Sequence, residues 1–390
     1  MGSSDGELCR YLCAMLKLGI LGGGQLGRML LQAAAPFPVE TYVLENDPDC
    51  PAAKLCDHFR LGDIRNFNDV YTFGKTLDAL TIEIEQVNID ALEQLHAEGV
   101  KVVPDPRVLR IINNKILQKE FYRKNKIPTA EFCITENRRE LKNHLSFLPA
   151  IHKVGEGGYD GKGVRLLTDA LALDEGFDSP SVLEKKIDIK KELAVIVAIN
   201  EHKETAVYPL VEMCFDPTLH LLDYQLCPAR LDPPLADRAI EIAISLVKEF
   251  DSPGLFAVEM FLDQHGQLLV NETAPRVHNS GHHSIEAIES SQFDMLLRIL
   301  LSLPLGSTRM ISPSVMINLV GADKEGPAQY HGLSEVATQK ELYVHCYEKK
   351  ISKPGRKMGH MTLLGNDVDL LHQEAIALKK RVTVTGRILR

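Results

Sequence analysis

The side chains best suited to chemistry lie together in residues 270–282, beside a strand-like run. Glu272 offers carboxylate oxygens, which are the ligands that a hard cation prefers. The residues that follow supply groups that bind an anionic, hydrogen-bonding ligand, namely Arg276, His278, Asn279 and Ser280. Packing does not require polar groups in this order, so the stretch predicts a binding or catalytic site.

A second carboxylate, Glu259, lies in another apolar run, and residues 263–266 between the two runs are typical of a hairpin turn. Adjacent antiparallel strands would bring Glu259 and Glu272 side by side. We therefore predict that the pair holds one or two magnesium ions, with manganese as a possible substitute. A solvated strand face is the alternative explanation, and it suits a single glutamate better than a pair.

Two glycine-rich segments predict contacts with phosphate. Residues 22–27 match the G-x-G-x-x-G pattern between a strand and a helix, and Glu45 ends the next strand. The pattern alone suggests a dinucleotide, but any phosphate satisfies the same physics at a helix N-terminus. Lys153 precedes five glycines within residues 155–163, which predicts a flap that closes over a polyphosphate. An ordinary glycine-rich turn is the alternative.

Two charged segments are less specific. Residues 182–187 could bond an adenine edge, and Glu192 could accept hydrogen bonds from ribose hydroxyls, but charged edge strands look the same. Five cations within residues 349–357 indicate an anionic partner in an acidic protein, because arginine matches phosphate or carboxylate geometry. A solvated basic turn is the alternative there.

Composition restricts the class of protein. A chain of 390 residues with 45% apolar and 25% charged residues is typical of a globular protein with about two to three domains. A net charge of −9 disfavours a nucleic acid polymer or an anionic membrane as partner. Eight cysteines without metal-site spacing indicate reduced thiols in the cytoplasm. Residues 1–14 resemble an expression leader.

The pattern of elements predicts an α/β part followed by an α+β part. Strands at 16–21, 41–44, 77–84 and 100–103 alternate with helices, including 28–35, and a further helix covers 115–124. Closer, β-branched strands follow at 150–153, 182–184, 193–199 and 206–213, with a long helix at 235–250. We expect domains at 15–112, 113–305 and 306–390, the last of them small and β-rich.

These motifs together resemble a known family. Lys153, Glu184, Glu192, the flap at 158–163 and the two strand glutamates are similar to the ATP-grasp superfamily. More narrowly, residues 22–29, 271–282 and 354–360 are similar to the N5-carboxyaminoimidazole ribonucleotide synthetases, in family order from about Lys17 to the C-terminus. The resemblance implies an N-terminal Rossmann-like domain of the biotin-carboxylase type, an ATP-grasp domain and a small β-rich C-terminal domain.

The resemblance also implies an activity. Members of this family convert 5-aminoimidazole ribonucleotide, ATP and bicarbonate into N5-carboxyaminoimidazole ribonucleotide, ADP and phosphate in purine biosynthesis. The path runs through carboxyphosphate, with magnesium at the ATP. A cytoplasmic homodimer is expected.

Individual roles follow from the resemblance alone. ATP would contact Lys115, Lys153, Gly158, Tyr159, Asp160, Gly161, Lys162, Gly163, Val164, Glu184, Lys185, Lys186, Ile187, Glu192, Phe215, Asn271 and Glu272. The ribonucleotide substrate would contact Gln25, Leu26, Glu83, Tyr159, Arg276, His278, Asn279, Ser280, Lys349, Arg356 and Lys357. The catalytic residues would be Asp160, Lys162, Arg276, His278 and Lys353, and the metal ligands Glu259 and Glu272.

The sequence departs from the family pattern in two places. Phe215 stands where members often carry a histidine in the ATP site, which puts one ATP contact in doubt. The usual Tyr-Glu-Phe-Glu segment is Ile82-Glu83-Ile84-Glu85 here, which keeps both carboxylates.

Three other functions remain open at the level of sequence. A dinucleotide-dependent oxidoreductase would explain the glycine loop and Glu45, but not the paired glutamates. A formate-dependent glycinamide ribonucleotide transformylase shares much of the site, but usually has Pro-His-Asp where this chain has Val277-His278-Asn279. A non-catalytic purine-nucleotide sensor would bind ATP without turnover.

Overall fold

The first part of the chain forms a five-stranded parallel sheet in the order β3-β2-β1-β4-β5. The computed structural model describes residues 15–158 and 163–387. The strands are β1 (Leu16–Leu21), β2 (Val39–Glu45), β3 (His58–Leu61), β4 (Ala79–Ile82) and β5 (Lys101–Val103), and the helices beside them are α1 (Gln25–Ala34), α2 (Phe67–Gly74) and α3 (Ile89–Ala97). The predicted parallel sheet is therefore confirmed.

Two details of this sheet differ from the prediction. The sequence analysis missed β3, because it is only four residues long and largely exposed. The strand predicted at 77–84 ends at Ile82, so Glu83 lies in the loop after β4 rather than within a strand, and Glu85 lies in the same loop. This loop position lets both carboxylates turn toward neighbouring segments.

Two short helices lead from the first sheet to the rest of the chain, α4 (Pro106–Ile112) and α5 (Lys115–Lys124). The Asn114 side chain caps α5 by accepting hydrogen bonds from the N–H groups of Ile116 and Leu117. The Lys115 N–H donates to the Gly155 carbonyl at 2.8 Å. The start of α5 is thus tied to the base of the glycine-rich segment.

A small antiparallel sheet follows, in the order β6-β9-β7-β8. Its strands are β6 (Phe132–Thr135), β7 (Ala150–Val154), β8 (Val164–Leu167) and β9 (Ser181–Lys185), with 3-10 helices at Arg138–Phe147 and Ala170–Glu175. The glycine-rich segment connects β7 to β8 at one edge of this sheet.

The largest sheet has nine strands, in the order β15-β14-β10-β12-β13-β16-β20-β18 with β11 beside β10. Its strands are β10 (Ile189–Ile199), β11 (Thr205–Val207), β12 (Val211–Phe215), β13 (Leu222–Cys227), β14 (Gly254–Asp263), β15 (Leu268–Ala274), β16 (Ser314–Val320), β18 (Leu342–Cys346) and β20 (Lys357–Leu364). A smaller sheet joins β17 (Gly326–His331), β19 (Ile351–Ser352) and β21 (Thr383–Gly386). The helices are α6 (Pro233–Glu249), α7 (Ser284–Ala287), α8 (Gln292–Leu300), α9 (Leu333–Val336) and α10 (Val368–Lys379).

The large sheet differs from the prediction in the segment 206–213, and it includes strands on both sides of residue 306. The segment 206–213 forms two strands, β11 and β12, because Tyr208-Pro209-Leu210 intervenes and proline has no N–H for a ladder. The Tyr208 hydroxyl instead donates to the Ser290 carbonyl at 2.9 Å. Strand β16 pairs with β13, so the strands after residue 306 extend the same sheet.

The two faces of β10 enter different apolar cores. Leu193, Val195 and Val197 pack in the cluster that contains α6. Ile196 and Ala198 pack in a cluster that also contains residues of α1 and α8. Because the second cluster includes residues of β1 as well, it joins the first sheet to the large one.

Within the described part of the chain, no helix combines the length and the apolar character needed to cross a membrane.

The Phe256→Ala variant tests the core behind the site. Phe256 is fully buried and stacks on Phe250 at a centroid distance of 5.4 Å. We expect the substitution to cost about 3–5 kcal/mol and to lower the apparent melting temperature clearly, because it leaves a cavity. The exposed Leu171 provides the control, since Leu171→Ala should change the melting temperature little. Equal melting temperatures for both variants would contradict this packing.

Candidate active site

The two strand glutamates lie side by side, as predicted. Glu259 of β14 and Glu272 of β15 are directly paired across the strands, next to a β-bulge. Burial and the neighbouring Glu272 raise the pKa of Glu259, whereas the Lys115 ammonium holds the pKa of Glu272 below its ordinary value. The Lys115 Nζ lies 3.2 Å from a Glu272 oxygen. Negative charge on Glu259 is therefore poorly compensated in this structure.

Lysines surround a buried carboxylate next to this pair. The Lys153 Nζ donates to Glu184 and, at 3.1 Å, to the Asn271 side-chain oxygen. Burial would raise the pKa of Glu184, but Lys153 and Lys119 outweigh it and lower that pKa. Strands β7, β9 and β15 thus bring together three residues predicted for ATP.

The sequence analysis missed Lys119. Its Nζ lies 3.4 Å from Glu184 and donates to the Thr129 hydroxyl at 2.6 Å. Burial lowers the pKa of Lys119 to about 8. The sequence could have indicated Lys119 through its position four residues after Lys115, because that spacing places both lysines on one face of α5.

The predicted adenine and ribose contacts lie where the small sheet joins the large one. Residues 185–187 connect β9 to β10 and are largely exposed. Burial raises the pKa of Glu192, on the following strand, to about 7. Phe215 ends β12 and packs partly buried against the apolar cluster around Met213. Its ring supplies apolar surface where a histidine would supply a polar group.

The loop after β15 gathers the polar groups predicted for the second ligand. Arg276 pairs with Glu85 at 2.8 Å. The His278 ring spans two groups, with Nε2 3.4 Å from Glu259 and Nδ1 2.9 Å from the Ser280 hydroxyl. Burial lowers the pKa of His278 to about 3, so its imidazole is neutral.

The side chain of Asn279 in this loop is buried without a hydrogen-bond partner among the described residues. The residue is only 7% exposed, and neither its side-chain nitrogen nor its side-chain oxygen has a partner in the described part of the chain. The Nε of Arg276 is buried and unpartnered too. Buried polar groups are normally paired, so these atoms indicate a place for a ligand.

Two glutamines fix the conformation of this loop through hydrogen bonds to its backbone. The fully buried Gln292 accepts from the His278 N–H at 2.8 Å and donates to the His278 carbonyl at 2.7 Å. Gln225 donates to the Ser280 carbonyl at 2.7 Å. The sequence carries no signal for these contacts, because Gln225 lies 55 residues away and Gln292 looks like an ordinary helix residue.

The glycine loop binds carboxylates of its own chain. The Gly27 N–H donates to Glu83, and the Gly23 N–H donates to Glu45 at 2.9 Å. A Cβ at Gly24 would lie 2.1 Å from a Glu83 oxygen, so only glycine allows this approach. Burial raises the pKa of Glu83 to about 7, although the Gly27 N–H and Lys349 oppose the shift.

A cavity of about 370 Å³ opens beside this loop. Four residues predicted for the ribonucleotide line it, namely Gln25, Glu83, Lys349 and Arg356, while Leu26 is buried in the core. The Lys349 Nζ donates to the Lys357 carbonyl at 2.8 Å. Asp63 and Arg65 also line the cavity and were missed, because they follow the unpredicted β3.

Other predicted residues lie outside these clusters. Lys353 is exposed on its turn and does not line the cavity. Gly158, Gly163 and Val164 lie at the base of the glycine-rich segment, where the Val154 N–H donates to the Gly163 carbonyl at 2.9 Å. Tyr159, Asp160, Gly161 and Lys162 lie outside the described residues.

Comparison with known families covers most of the chain. Residues 15–113 match the ribonucleotide synthetase preATP-grasp domain, residues 120–293 the ATP-grasp domain, and residues 314–374 the phosphoribosylaminoimidazole carboxylase C-terminal domain. The predicted ATP-grasp fold is therefore confirmed.

Individual relatives agree with these matches. The chain is 31% identical to N5-carboxyaminoimidazole ribonucleotide synthase of Bacillus subtilis over 93% of that protein and 92% of this chain. It is 36% identical to the chloroplastic phosphoribosylaminoimidazole carboxylase of Vigna aconitifolia over 93% of this chain, but spans only 66% of that longer protein.

Solved structures show the same likeness. The N5-carboxyaminoimidazole ribonucleotide synthetase of Thermotoga maritima superposes with a TM-score of 0.88 at 37% identity, over 96% of this chain and all of the other. The synthase of Aspergillus clavatus in complex with ADP and 5-aminoimidazole ribonucleotide superposes with a TM-score of 0.83 at 33% identity, over 94% of this chain and 99% of the other. The chain belongs to the N5-carboxyaminoimidazole ribonucleotide synthase family of ATP-grasp proteins.

Proposed function

We propose that the protein carboxylates 5-aminoimidazole ribonucleotide to N5-carboxyaminoimidazole ribonucleotide, using ATP and bicarbonate. The observation that carries this proposal is the unpartnered Asn279 amide beside Arg276, one loop beyond Glu272 of β15. The residues proposed for the nucleotide phosphates and those proposed for the substrate would thus meet at the same end of one strand. The Aspergillus clavatus relative, which holds ADP together with 5-aminoimidazole ribonucleotide, supports the assignment.

The proposed reaction has two steps. An oxygen of bicarbonate attacks the γ-phosphorus of ATP, the bond to ADP breaks, and carboxyphosphate forms. The exocyclic amine of the ribonucleotide then attacks the carboxyphosphate carbon, phosphate leaves and the amine loses a proton. Lys115 and Lys153 would stabilise the charge on the moving phosphoryl group, since phosphoryl transfer depends mainly on positioning and electrostatics.

The second step needs the substrate amine and carboxyphosphate held together away from water. Arg276 would neutralise the carboxyphosphate, and the Asn279 amide would pair with polar atoms beside the base. The neutral His278 would hold its tautomer through Ser280 rather than carry charge. Sequence resemblance adds Tyr159, Asp160 and Lys162 from the glycine flap, and their roles stay predictions.

The residues fit a magnesium ion bound with the nucleotide. Within the described residues, no three His, Cys, Asp or Glu side chains gather to hold a metal by themselves. Magnesium commonly binds through one or two carboxylates plus substrate phosphates. The directly paired Glu259 and Glu272 would supply those carboxylates, and a bound cation would stabilise the ionised form of Glu259, whose pKa burial and the neighbouring Glu272 raise. The ion would neutralise phosphate charge during transfer.

The proposal extends to a cytoplasmic location and to a homodimer. The cysteines that the structure describes are all free, which supports a reducing compartment such as the cytoplasm. A homodimer is proposed from the family resemblance. Light scattering coupled to size-exclusion chromatography would measure the mass of the assembly.

Glu272→Gln tests the metal assignment. The change keeps size but removes a charge that metal binding requires, so we expect turnover to fall at least about 100-fold while the fold is kept. The measurement is ADP release together with the circular dichroism spectrum. Glu249→Gln, the same change at the exposed end of α6, is the matched control. Near-normal ADP release by Glu272→Gln would refute the assignment.

Substrate choice tests the narrower assignment. We expect 5-aminoimidazole ribonucleotide with bicarbonate to stimulate ADP release, and glycinamide ribonucleotide with formate to have little effect. Both substrates carry a 5′-phosphate, so discrimination must come from groups beside the base such as His278 and Asn279, which the wrong substrate would leave unpaired. If glycinamide ribonucleotide proves the better activator, the family function fails while ATP binding stands.

Arg356→Ala tests the cavity beside the glycine loop. Losing a charge-assisted contact to the 5′-phosphate should raise the KM for the ribonucleotide about 10-fold to 100-fold, with the KM for ATP little changed. Steady-state kinetics with each substrate varied in turn gives both values. Arg238→Ala, on the exposed face of α6, controls for loss of a surface arginine. A parallel rise in both KM values would count against a separate phosphate site.

A further inference from the structure

A column of stacked imidazoles lies behind the proposed substrate site. The His360 ring lies between two others, with its centroid 4.8 Å from that of His282 and 4.4 Å from that of His345. His345 and His360 are directly paired across β18 and β20, which places their side chains together. Burial lowers the pKa of His282 and His360 well below the ordinary value, so these two rings stack as neutral groups.

Hydrogen bonds fix the orientation of the column. The Tyr347 hydroxyl bonds the Nδ1 of His360 at 2.9 Å. His345 bonds Glu286 of α7 at 2.6 Å, and His282 lies 3.3 Å from the Nε2 of Gln292. Each ring is thus held both by its stacking neighbours and by a polar partner.

The column joins two segments that are far apart in the chain. His282 ends the loop that carries Arg276, His278 and Asn279. His360 lies on β20, three residues after Lys357, and the Tyr347 ring lies 5.7 Å from the Lys349 ammonium. At one end of the column, His282 lies beside Gln292, which holds the loop that carries the groups proposed for the base. The central ring, His360, is bonded to Tyr347, whose ring lies beside a cation proposed for the 5′-phosphate.

We propose that His360 is a positioning residue that sets the separation between these two halves of the ribonucleotide site. A ribonucleotide has a fixed reach from base to phosphate, and a small misplacement of either half costs binding and alignment. His360 touches neither half directly, so it acts through His282 on one side and through Tyr347 on the other. The inference rests on the proposed function, because it assumes a ligand with a base at one end and a phosphate at the other.

Three variants test the proposal. His360→Leu removes the ring, and we expect the KM for 5-aminoimidazole ribonucleotide to rise at least about 10-fold while the KM for ATP stays within about twofold. His360→Phe keeps a flat ring and should restore part of the loss. Tyr347→Phe removes one hydrogen bond and should raise the same KM about fivefold. His331→Gln, an exposed histidine of β17, is the matched control.

A second measurement separates positioning from general destabilisation. Misaligned substrate lets carboxyphosphate hydrolyse before capture, so His360→Leu should release more ADP per aminoimidazole ribonucleotide consumed than the wild type. Loss of folded enzyme would lower both quantities without changing their ratio. Wild-type kinetics in both His360→Leu and Tyr347→Phe, or equal effects on the two substrates, would overturn the proposal. If His360→Leu fails to fold, Tyr347→Phe alone decides, and a wild type without ribonucleotide-dependent turnover would overturn the proposed function and this inference together.

Discussion

The site depends on one electrostatic constraint, which is the balance between carboxylates and lysines where α5, β9, β14 and β15 meet. Glu184 is compensated by Lys119 and Lys153, and Glu272 by Lys115, whereas Glu259 lies 3.4 Å from the neutral His278 imidazole. Removing a lysine partner of the buried Glu184 would leave an uncompensated charge, which is strongly destabilising. The same balance explains why the set suits a polyphosphate that arrives with its cation. The lysines would neutralise the negative charge of the polyphosphate, and the glutamates would neutralise the positive charge of its cation.

Much of this could be predicted from the sequence, because the decisive signals were local. Glu259 and Glu272 lie in two strand-like runs joined by a short turn, which predicts that they lie close together. The β-bulge between Glu259 and Met260, which the sequence does not show, brings them directly opposite each other. The parallel strands of the first sheet were equally predictable, from their apolar runs and from the turns and helices between them. What the sequence could not show were contacts between distant segments, such as Gln225 with Ser280, and strands that are short and largely exposed, such as β3. Tyr208-Pro209 shows a third limit. The apolar run around it predicted one continuous strand, but Pro209 has no N–H for the hydrogen-bond ladder, and the run forms two strands, β11 and β12.

The continuous large sheet explains how remote segments can share one ligand. Strand β16 pairs with β13 on one side and with β20 on the other, so the cationic residues after β18 are placed by the same ladder that carries Glu192. Register along such a ladder is well defined, because a shift by one residue would turn every side chain to the opposite face. Strands on both sides of residue 306 are therefore held in one hydrogen-bonded sheet.

The pairing of Glu83 and Glu45 with the glycine loop changes what that motif means in this chain. Here the loop connects the ends of three neighbouring strands, because the loop after β1 and the first turn of α1 supply the N–H donors while β2 and the loop after β4 supply the acceptors. A pyrophosphate at these donors would have to displace two tethered carboxylates, each present at a high effective concentration. The glycines are therefore explained by the assembly of the strands themselves. A glycine pattern of this kind reports a close approach of backbone to an anion, and that anion can belong to the protein.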